Sequence, residues 1–197
     1  MPFRCLMGQD ARQVAALHAA AINTGFISSM PPSFIQCLYQ SIADSPHNFG
    51  FVYEENTEIL GFICCSTDTK RMFREILWQS GFRFVFLLWR QIFNVSVVKK
   101  ICNNIFYPNK FKVGLPQAEI LSVAVERRAK GKGVGKTLMQ MVIAECRKRK
   151  ILAIKALTDA KNEGSNCYYQ KCGFYLVDKV KHHDHYLNIY VLNTSLH

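Results

Sequence analysis

A short glycine-rich segment places the strongest constraint on how this chain can fold. Residues 128–137 read RAKGKGVGKT, with three glycines at alternate positions and three lysines among them. An apolar, β-branched run (120–125) precedes the segment, and apolar residues at helical spacing follow it. This pattern predicts a β-strand, a tight turn and an α-helix, in that order. Because a helix N-terminus offers unpaired N–H groups and partial positive charge, we expect the turn to bind a phosphorylated small molecule. The alternative is a lysine-rich surface turn that caps a helix.

Two common nucleotide-binding motifs do not fit this segment. A Walker A loop needs a glycine five residues before the glycine of GK[ST], and Lys130 occupies that position. The dinucleotide fingerprint G-x-G-x-x-G needs a third glycine where Lys136 stands. The pattern that does fit is R-x-x-G-x-G, formed by Arg128, Gly131 and Gly133.

A second motif follows about thirty residues later, after another predicted strand (151–157). An asparagine is followed seven residues on by a tyrosine and then by x-K-x-G-F; these positions are Asn162, Tyr169, Lys171, Gly173 and Phe174. The pattern predicts a short helix that ends at Gly173, before a further strand. The two motifs in this order resemble the signatures of the GNAT acetyltransferase superfamily. Ser165 and Tyr168 depart mildly from it, since alanine and leucine are usual at those positions.

The resemblance implies the GNAT fold, an α/β (α+β) architecture with a mixed, mostly antiparallel sheet flanked by helices. We expect one domain over residues 1–197. The patterning agrees with the implied order β-α-α-β-β-β-α-β-α-β-β. The predicted elements cover 2–7, 10–22, 31–42, 49–53, 59–65, 119–125, the helix after the loop, 151–157, the helix of the second motif, the strand from 174 and 186–192.

The resemblance also implies acetyl-CoA as co-substrate and no metal. By resemblance, the coenzyme A contacts are the backbone amides of Val123, Ala124 and Val125, the loop residues Arg128, Ala129, Lys130, Gly131, Lys132, Gly133, Val134, Gly135 and Lys136, and Asn162, Asn166 and Tyr169. The charge distribution agrees. The chain carries a net charge of +11, and residues 126–155 hold ten Lys or Arg against two Glu. A positive field around the loop favours capture of a polyphosphate. Without interleaved aromatic and basic residues, we expect no nucleic-acid partner.

Two residues are candidates for catalysis by resemblance. Tyr169 matches the acid that protonates the departing coenzyme A thiolate; the alternative is a core tyrosine. Glu119 occupies the place of the glutamate that accepts the amine proton, directly or through water, in some members. The alternative there is an exposed charge at a strand end.

The segment 70–114 exceeds a minimal GNAT domain, and its apolar content favours structure over disorder. We predict a helical insertion between the third and fourth strands. It is a helical pair packed on the core, an acceptor-binding lid, or a surface for a partner, a lipid-linked substrate or a membrane face. Its apolar run is too short and too often interrupted by arginine to cross a membrane.

The remaining features favour a cytoplasmic enzyme. The eight cysteines show no CxxC pair and the N-terminus has no apolar signal core, so we expect reduced thiols. The cluster 182–185 (HHDH) is too tightly spaced to surround one metal and reads as a polar hairpin or an acceptor contact. The resulting prediction is an N-acetyltransferase that passes acetyl from acetyl-CoA to a primary amine in a direct ternary complex. The alternative is a catalytically silent acyl-CoA-binding domain that acts as a sensor or partner module. The acceptor itself, a small molecule or a peptide, is not readable.

Overall fold

The computed structural model describes residues 2–22, 27–72, 74–75, 78, 114–182 and 185–195. These residues form one seven-stranded sheet in the spatial order β1-β2-β3-β4-β5-β7-β6, in which β4 and β5 are the parallel pair and the other neighbours are antiparallel. The strands are β1 (Phe3–Cys5), β2 (Asn48–Glu55), β3 (Glu58–Ser66), β4 (Glu119–Val125), β5 (Ala153–Asp159), β6 (Tyr175–His182) and β7 (His185–Asn193). The helices with described bounds are α1 (Ala11–Ala21), α2 (Pro32–Asp44), α3 (Val134–Lys148) and α4 (Glu163–Lys171).

The predicted order of elements and the mixed sheet are confirmed. The helical insertion is predicted at 70–114, and most of that segment lies outside the described residues. In the described part of the chain, no helix is both long and apolar enough to cross a membrane.

Most predicted strands differ from the structure by one or two residues at their ends, and two of these differences have a clear local cause. The first strand ends at Cys5 rather than residue 7, because the Met7 amide donates a 2.8 Å hydrogen bond to the Asp10 carboxylate and a 3-10 turn begins. β5 begins at Ala153 rather than residue 151. There the Ile151 amide bonds to the Cys146 carbonyl oxygen at 2.8 Å and closes the end of α3. Lys150 takes the left-handed conformation (φ +58°) that such a helix end requires.

Helices α1 and α2 cover one face of the sheet. α2 begins with Pro32 at its first turn, where the missing N–H is not needed. Its buried positions recur at helical spacing, and Tyr39 packs edge to face on Phe62 of β3. Val14 of α1 joins the same fully buried cluster. We call this side of the sheet the α1–α2 face.

Helices α3 and α4 pack on the opposite face. Leu138, Met139 and Val142 of α3 are fully buried against Ile154 of β5. The helix can approach β3 closely because Gly61 has no side chain; an added Cβ there would lie 2.9 Å from Val134. This packing holds the start of α3, and with it the glycine loop, beside the end of β4. We call this side the α3 face.

Candidate active site

Strands β4 and β5 separate partway along their length. They share the register pairs Glu119↔Lys155 and Ile120↔Ala156, and beyond these β4 has no partner on that side among the described residues. The Glu126 amide donates to the Leu60 carbonyl oxygen of β3 at 2.7 Å. Because N–H directions alternate along a strand, the amides of Val123 and Val125 point into the opening. The amide of Ala124 points to β3 instead, and we call the space between the two strands the β4–β5 opening.

One extra residue in β4 exchanges the two sides of that strand. β3 residues Cys64 and Cys65 pair with Ser122 and Ile120, so Leu121 is left over as a bulge. On the far side of the bulge, Val123 packs toward α3. On the near side, Glu119 is the cross-strand partner of Ser66, which lies two positions after the α1–α2-face residue Cys64. Since cross-strand partners share a face, Glu119 lies on the α1–α2 face.

The glycine loop has the geometry of an anion site. Gly131 and Gly133 adopt φ of +79° and +82°, and apart from their chain neighbours no described residue has an atom within 4 Å of the position where a Cβ would stand. Thr137 is the first residue of α3 whose amide bonds backward, to the Gly133 carbonyl oxygen at 3.0 Å. The amides of residues 134–136 are therefore left for an anion. The side chains of Lys130, Lys132 and Lys136 are all exposed.

The other predicted loop contacts differ in what they can offer. The side chains of Ala129 and Val134 are buried in the α3-face core, so these residues present only backbone to a ligand. Arg128 is exposed, and its guanidinium pairs with the carboxylates of Glu58 and Glu126. Those two carboxylates offset part of the positive field predicted from the sequence.

The two sequence motifs touch each other through Tyr168. Its hydroxyl donates a 2.8 Å hydrogen bond to the carbonyl oxygen of Gly135, in the first turn of α3. Its ring also lies 3.2 Å from where a Cβ on Gly135 would stand. In the sequence alone, Tyr168 stands out only as a departure from the usual leucine. The departure was the available signal, because leucine cannot make this hydrogen bond.

Tyr169 is buried on the α3 face with its hydroxyl unused. The residue is 5% exposed; its ring packs on Phe174 and stacks on Tyr190, with centroids 5.4 and 5.9 Å away. The hydroxyl makes no hydrogen bond to any residue that the structure describes. Burial raises the pKa of the phenol well above its ordinary value, and the nearby charge of Glu119 raises it further. The hydroxyl therefore stays protonated and able to donate.

The two predicted asparagines have different surroundings. Asn162 is exposed, and its side-chain oxygen caps α4 by accepting from the Ser165 amide at 3.0 Å. The Asn166 amide donates to the carbonyl oxygens of Asp159 and Asn162 at 3.0 and 2.7 Å. Its oxygen accepts from two β7 side chains, Asn188 Nδ2 and Tyr190 Oη, at 2.7 and 2.9 Å. The amide group of Asn166 is therefore occupied within the protein.

Glu119 is a mostly buried carboxylate rather than an exposed charge at a strand end. Its side chain is 17% exposed; Oε2 accepts from the Thr69 hydroxyl at 3.0 Å and lies 3.4 Å from the Lys155 ammonium. Burial raises the pKa of the carboxyl, and the positive charge of Lys155 opposes that rise only in part. The pairing is not visible in the sequence, where Lys155 is one of the ten basic residues expected around the loop. In the structure Lys155 is buried, at 6% exposure.

A chain of buried hydrogen bonds lies on the α1–α2 face and reaches β4 at Ser122. His18 Nδ1 and the Tyr39 hydroxyl lie 2.6 Å apart, and that hydroxyl lies 2.8 Å from the Ser122 hydroxyl of β4. Burial lowers the pKa of His18 to about 4, so its ring is neutral at physiological pH. The sequence places His18 in the first helix and predicts a structural role, which its hydrogen bond to Tyr39 supports.

The histidine-rich segment near the C-terminus is only partly described. Residues 183 and 184, the centre of the predicted hairpin, lie outside the described residues. Among the residues that the structure does describe, no group of three or more His, Cys, Asp or Glu is arranged to hold a metal. The seven cysteines within the described ranges are all free thiols.

Known proteins resemble this chain in sequence pattern and in fold. The Acetyltransferase (GNAT) family profile matches residues 19–174. No curated protein matches the chain. Among solved structures, an N-acetyltransferase from Staphylococcus aureus Mu50 is similar at TM-score 0.62 and 22% identity, with 98% of this chain and 97% of that chain covered. Arabidopsis thaliana NAA60 in complex with acetyl-CoA is similar at TM-score 0.61 and 11% identity, with 97% of each chain covered. A GNAT-family acetyltransferase from Streptococcus pneumoniae is similar at TM-score 0.58 and 12% identity, covering 97% of this chain and 98% of that chain.

At these identities the solved structures support the fold alone, whereas the family profile spans more than half of the chain, including both sequence motifs. The profile match, the opening between β4 and β5, and the glycine loop at the start of α3 agree with one another. The chain belongs to the GNAT family of acetyltransferases.

Proposed function

We propose that this protein is an N-acetyltransferase that transfers acetyl from acetyl-CoA to a primary amine. The observation that carries the proposal is the hydroxyl of Tyr169, which has no hydrogen-bond partner among the described residues and lies near enough to Glu119 for that charge to raise its pKa. The phenol ring is packed in the core while its oxygen is left without a partner in the described residues, so the oxygen is available to a ligand. The phenol of Tyr169 can donate a proton and the carboxylate of Glu119 can accept one, so the pair supplies both groups that the reaction needs.

Backbone amide groups of the chain are available to bind coenzyme A. The free amides at the start of α3 and the open approach at Gly131 and Gly133 suit a pyrophosphate. The exposed lysines of the loop add charge. The amides of Val123 and Val125, which point into the opening, suit the polar groups of a pantetheine arm. Ala124 is a weaker contact than the sequence predicts, because its amide points to β3.

The proposed reaction is a direct attack in a ternary complex. The acceptor nitrogen forms a bond to the acetyl carbonyl carbon while its proton passes to Glu119, directly or through water. The bond between the carbonyl carbon and the coenzyme A sulfur then breaks, and Tyr169 donates its proton to the departing thiolate. A carboxylate with a raised pKa is a stronger base than an exposed one, which suits it to this role near neutral pH.

The test is an acetylation assay that measures free coenzyme A thiol across a panel of primary amines. We expect acyl-CoA-dependent thiol release with at least one amine and an acetylated product of matching mass. Saturable acetyl-CoA binding without release for every amine would instead support the silent acyl-CoA-binding domain. Absence of acetyl-CoA binding would overturn both functions.

A further inference from the structure

Lys155 is a buried cation within β5. Its side chain is 8% exposed, and its ammonium donates to the carbonyl oxygens of Pro116 and Gln117 at 2.5 and 3.3 Å. The Glu119 carboxylate, at 3.4 Å, is its third partner. A lysine is rarely buried to this degree without such partners, because desolvation of the ammonium is costly. Its three acceptors all lie at or just before the start of β4.

The Glu119–Lys155 pair lies at the base of the β4–β5 opening. Its two residues are register partners, and only one further pair, Ile120↔Ala156, joins the described strands before they part. The position is fixed by backbone hydrogen bonding, since the Lys155 amide also donates to the Ala118 carbonyl oxygen at 2.9 Å. In the proposed function, this is where the acceptor amine gives up its proton.

The charge of this cluster sums to zero in the described residues. Besides Lys155, the titratable groups whose charges act on or respond to Glu119 are Tyr169 of α4 and Cys65 of β3. Burial raises the pKa of both, so each is neutral when Glu119 is ionised. An unpaired buried carboxylate would attract an ammonium strongly, whereas a neutralised one gives a cationic acceptor little reason to enter.

We propose that Lys155 is a positioning residue that cancels the charge of Glu119, so that the site accepts neutral amines and favours weakly basic acceptors of the α-amino class over strongly basic alkylamines. This inference rests on the proposed function. An α-amino group has a pKa of about 7.7–8.0 and a lysine ε-amino group one of about 10.4, so near pH 8 a large fraction of the first and under about 1% of the second is neutral.

The test compares two peptides that differ in which amine is free. One has a free N-terminus and no lysine; the other has a blocked N-terminus and one lysine. In the wild-type enzyme we expect KM for the lysine peptide to fall as pH rises from 7 to 9.5, in inverse proportion to the neutral fraction of its amine. Lys155→Met leaves an uncompensated carboxylate, so its KM for the lysine peptide at pH 7.5 should drop roughly tenfold.

Three further variants separate charge from folding. Lys155→Arg keeps the charge and should keep the wild-type preference. The double variant Lys155→Met with Glu119→Gln restores neutrality and should also keep that preference in KM, although turnover falls. Glu119→Gln alone leaves a net positive charge and should raise KM for the lysine peptide roughly tenfold. Thermal unfolding and coenzyme A affinity report whether each variant is folded.

The outcomes discriminate between this inference and the proposed function. KM values that rank with the net charge of the pair support the inference. Turnover of both peptides with a wild-type KM that ignores pH, or with KM unchanged in Lys155→Met, overturns the inference and leaves the proposed function standing. No turnover with any amine overturns the proposed function and the inference with it.

Discussion

The rings of Tyr168 and Tyr169 meet edge to face with centroids 5.4 Å apart, and only the Tyr168 hydroxyl has a hydrogen-bond partner among the described residues. Tyr168 uses its hydroxyl to hold the first turn of α3. The hydroxyl of Tyr169 is left for a ligand. The two neighbours therefore form a matched pair in which one oxygen is structural and the other is available for chemistry.

Removal of the Tyr169 hydroxyl should affect turnover and little else. We expect Tyr169→Phe to lower kcat by about 100-fold or more, the usual range for loss of a general acid, with coenzyme A affinity nearly unchanged. Steady-state kinetics and calorimetric titration measure the two effects. The control Tyr168→Phe should weaken coenzyme A binding a few-fold, by loss of one hydrogen bond, and leave kcat nearly unchanged. Equal losses of kcat in both variants would contradict the assignment.

The acid limb of the pH–rate profile should belong to Glu119. Its carboxyl must be ionised to accept a proton, and burial raises its pKa. Activity should therefore fall as pH drops through a pKa above the ordinary value for glutamate. Glu119→Gln should lower kcat/KM and remove that limb. If the limb persists at the same pH in the variant, another group is the base.

Gly133 tests the anion cradle. Its φ of +82° costs any other residue about 1 kcal/mol, and a methyl group would also fill the approach to the helix amides. We expect Gly133→Ala to weaken coenzyme A binding by more than tenfold. The control is Gly114→Ala, because Gly114 lies outside the loop and has φ of +108°, with no described residue near the position of an added Cβ. That variant should lose comparable stability in chemical unfolding and keep its affinity.

His18 should make the fold sensitive to mild acid. Its pKa is about 4 in the folded protein against 6.5 for a free side chain, so between those values the unfolded chain binds a proton that the folded chain does not. Stability is lost as pH falls through that window, by about 2 kcal/mol from pH 7.5 to pH 5. Urea unfolding at the two pH values measures the loss. In His18→Gln the side chain does not titrate, so this contribution to the pH dependence of the unfolding free energy should be absent.

Asn166 and Asn162 should differ in what they stabilise. Asn166→Ala removes a half-buried side chain and leaves Asn188 and Tyr190 without their acceptor, so we expect about 2 kcal/mol of lost stability with coenzyme A affinity unchanged. Asn162→Ala removes only a helix cap, at about 1 kcal/mol. A large loss of coenzyme A affinity in Asn166→Ala, without loss of stability, would restore Asn166 as a cofactor contact.

Local patterns predicted most of the fold and the position of the glycine loop between a strand and a helix. Glycine spacing located the loop, alternation located the strands, and Gly173 ends its helix with φ of +88°, as expected. The Lys150 helix end escaped detection because no glycine marks it. Pairings distant in sequence also escaped, such as Lys155 with Glu119 and Tyr168 with Gly135, because they depend on strand register and helix packing that no short pattern encodes.

The β-bulge at Leu121 divides β4 into two parts whose side chains face opposite sides of the sheet at equivalent positions. Before it, Glu119 lies on the α1–α2 face; after it, Val123 and Val125 lie on the α3 face, which also carries the glycine loop. The bulge therefore changes the face of the sheet that alternate residues of β4 occupy. Deletion of Leu121 would remove the bulge and turn Glu119 to the α3 face, although both sequence motifs would remain intact.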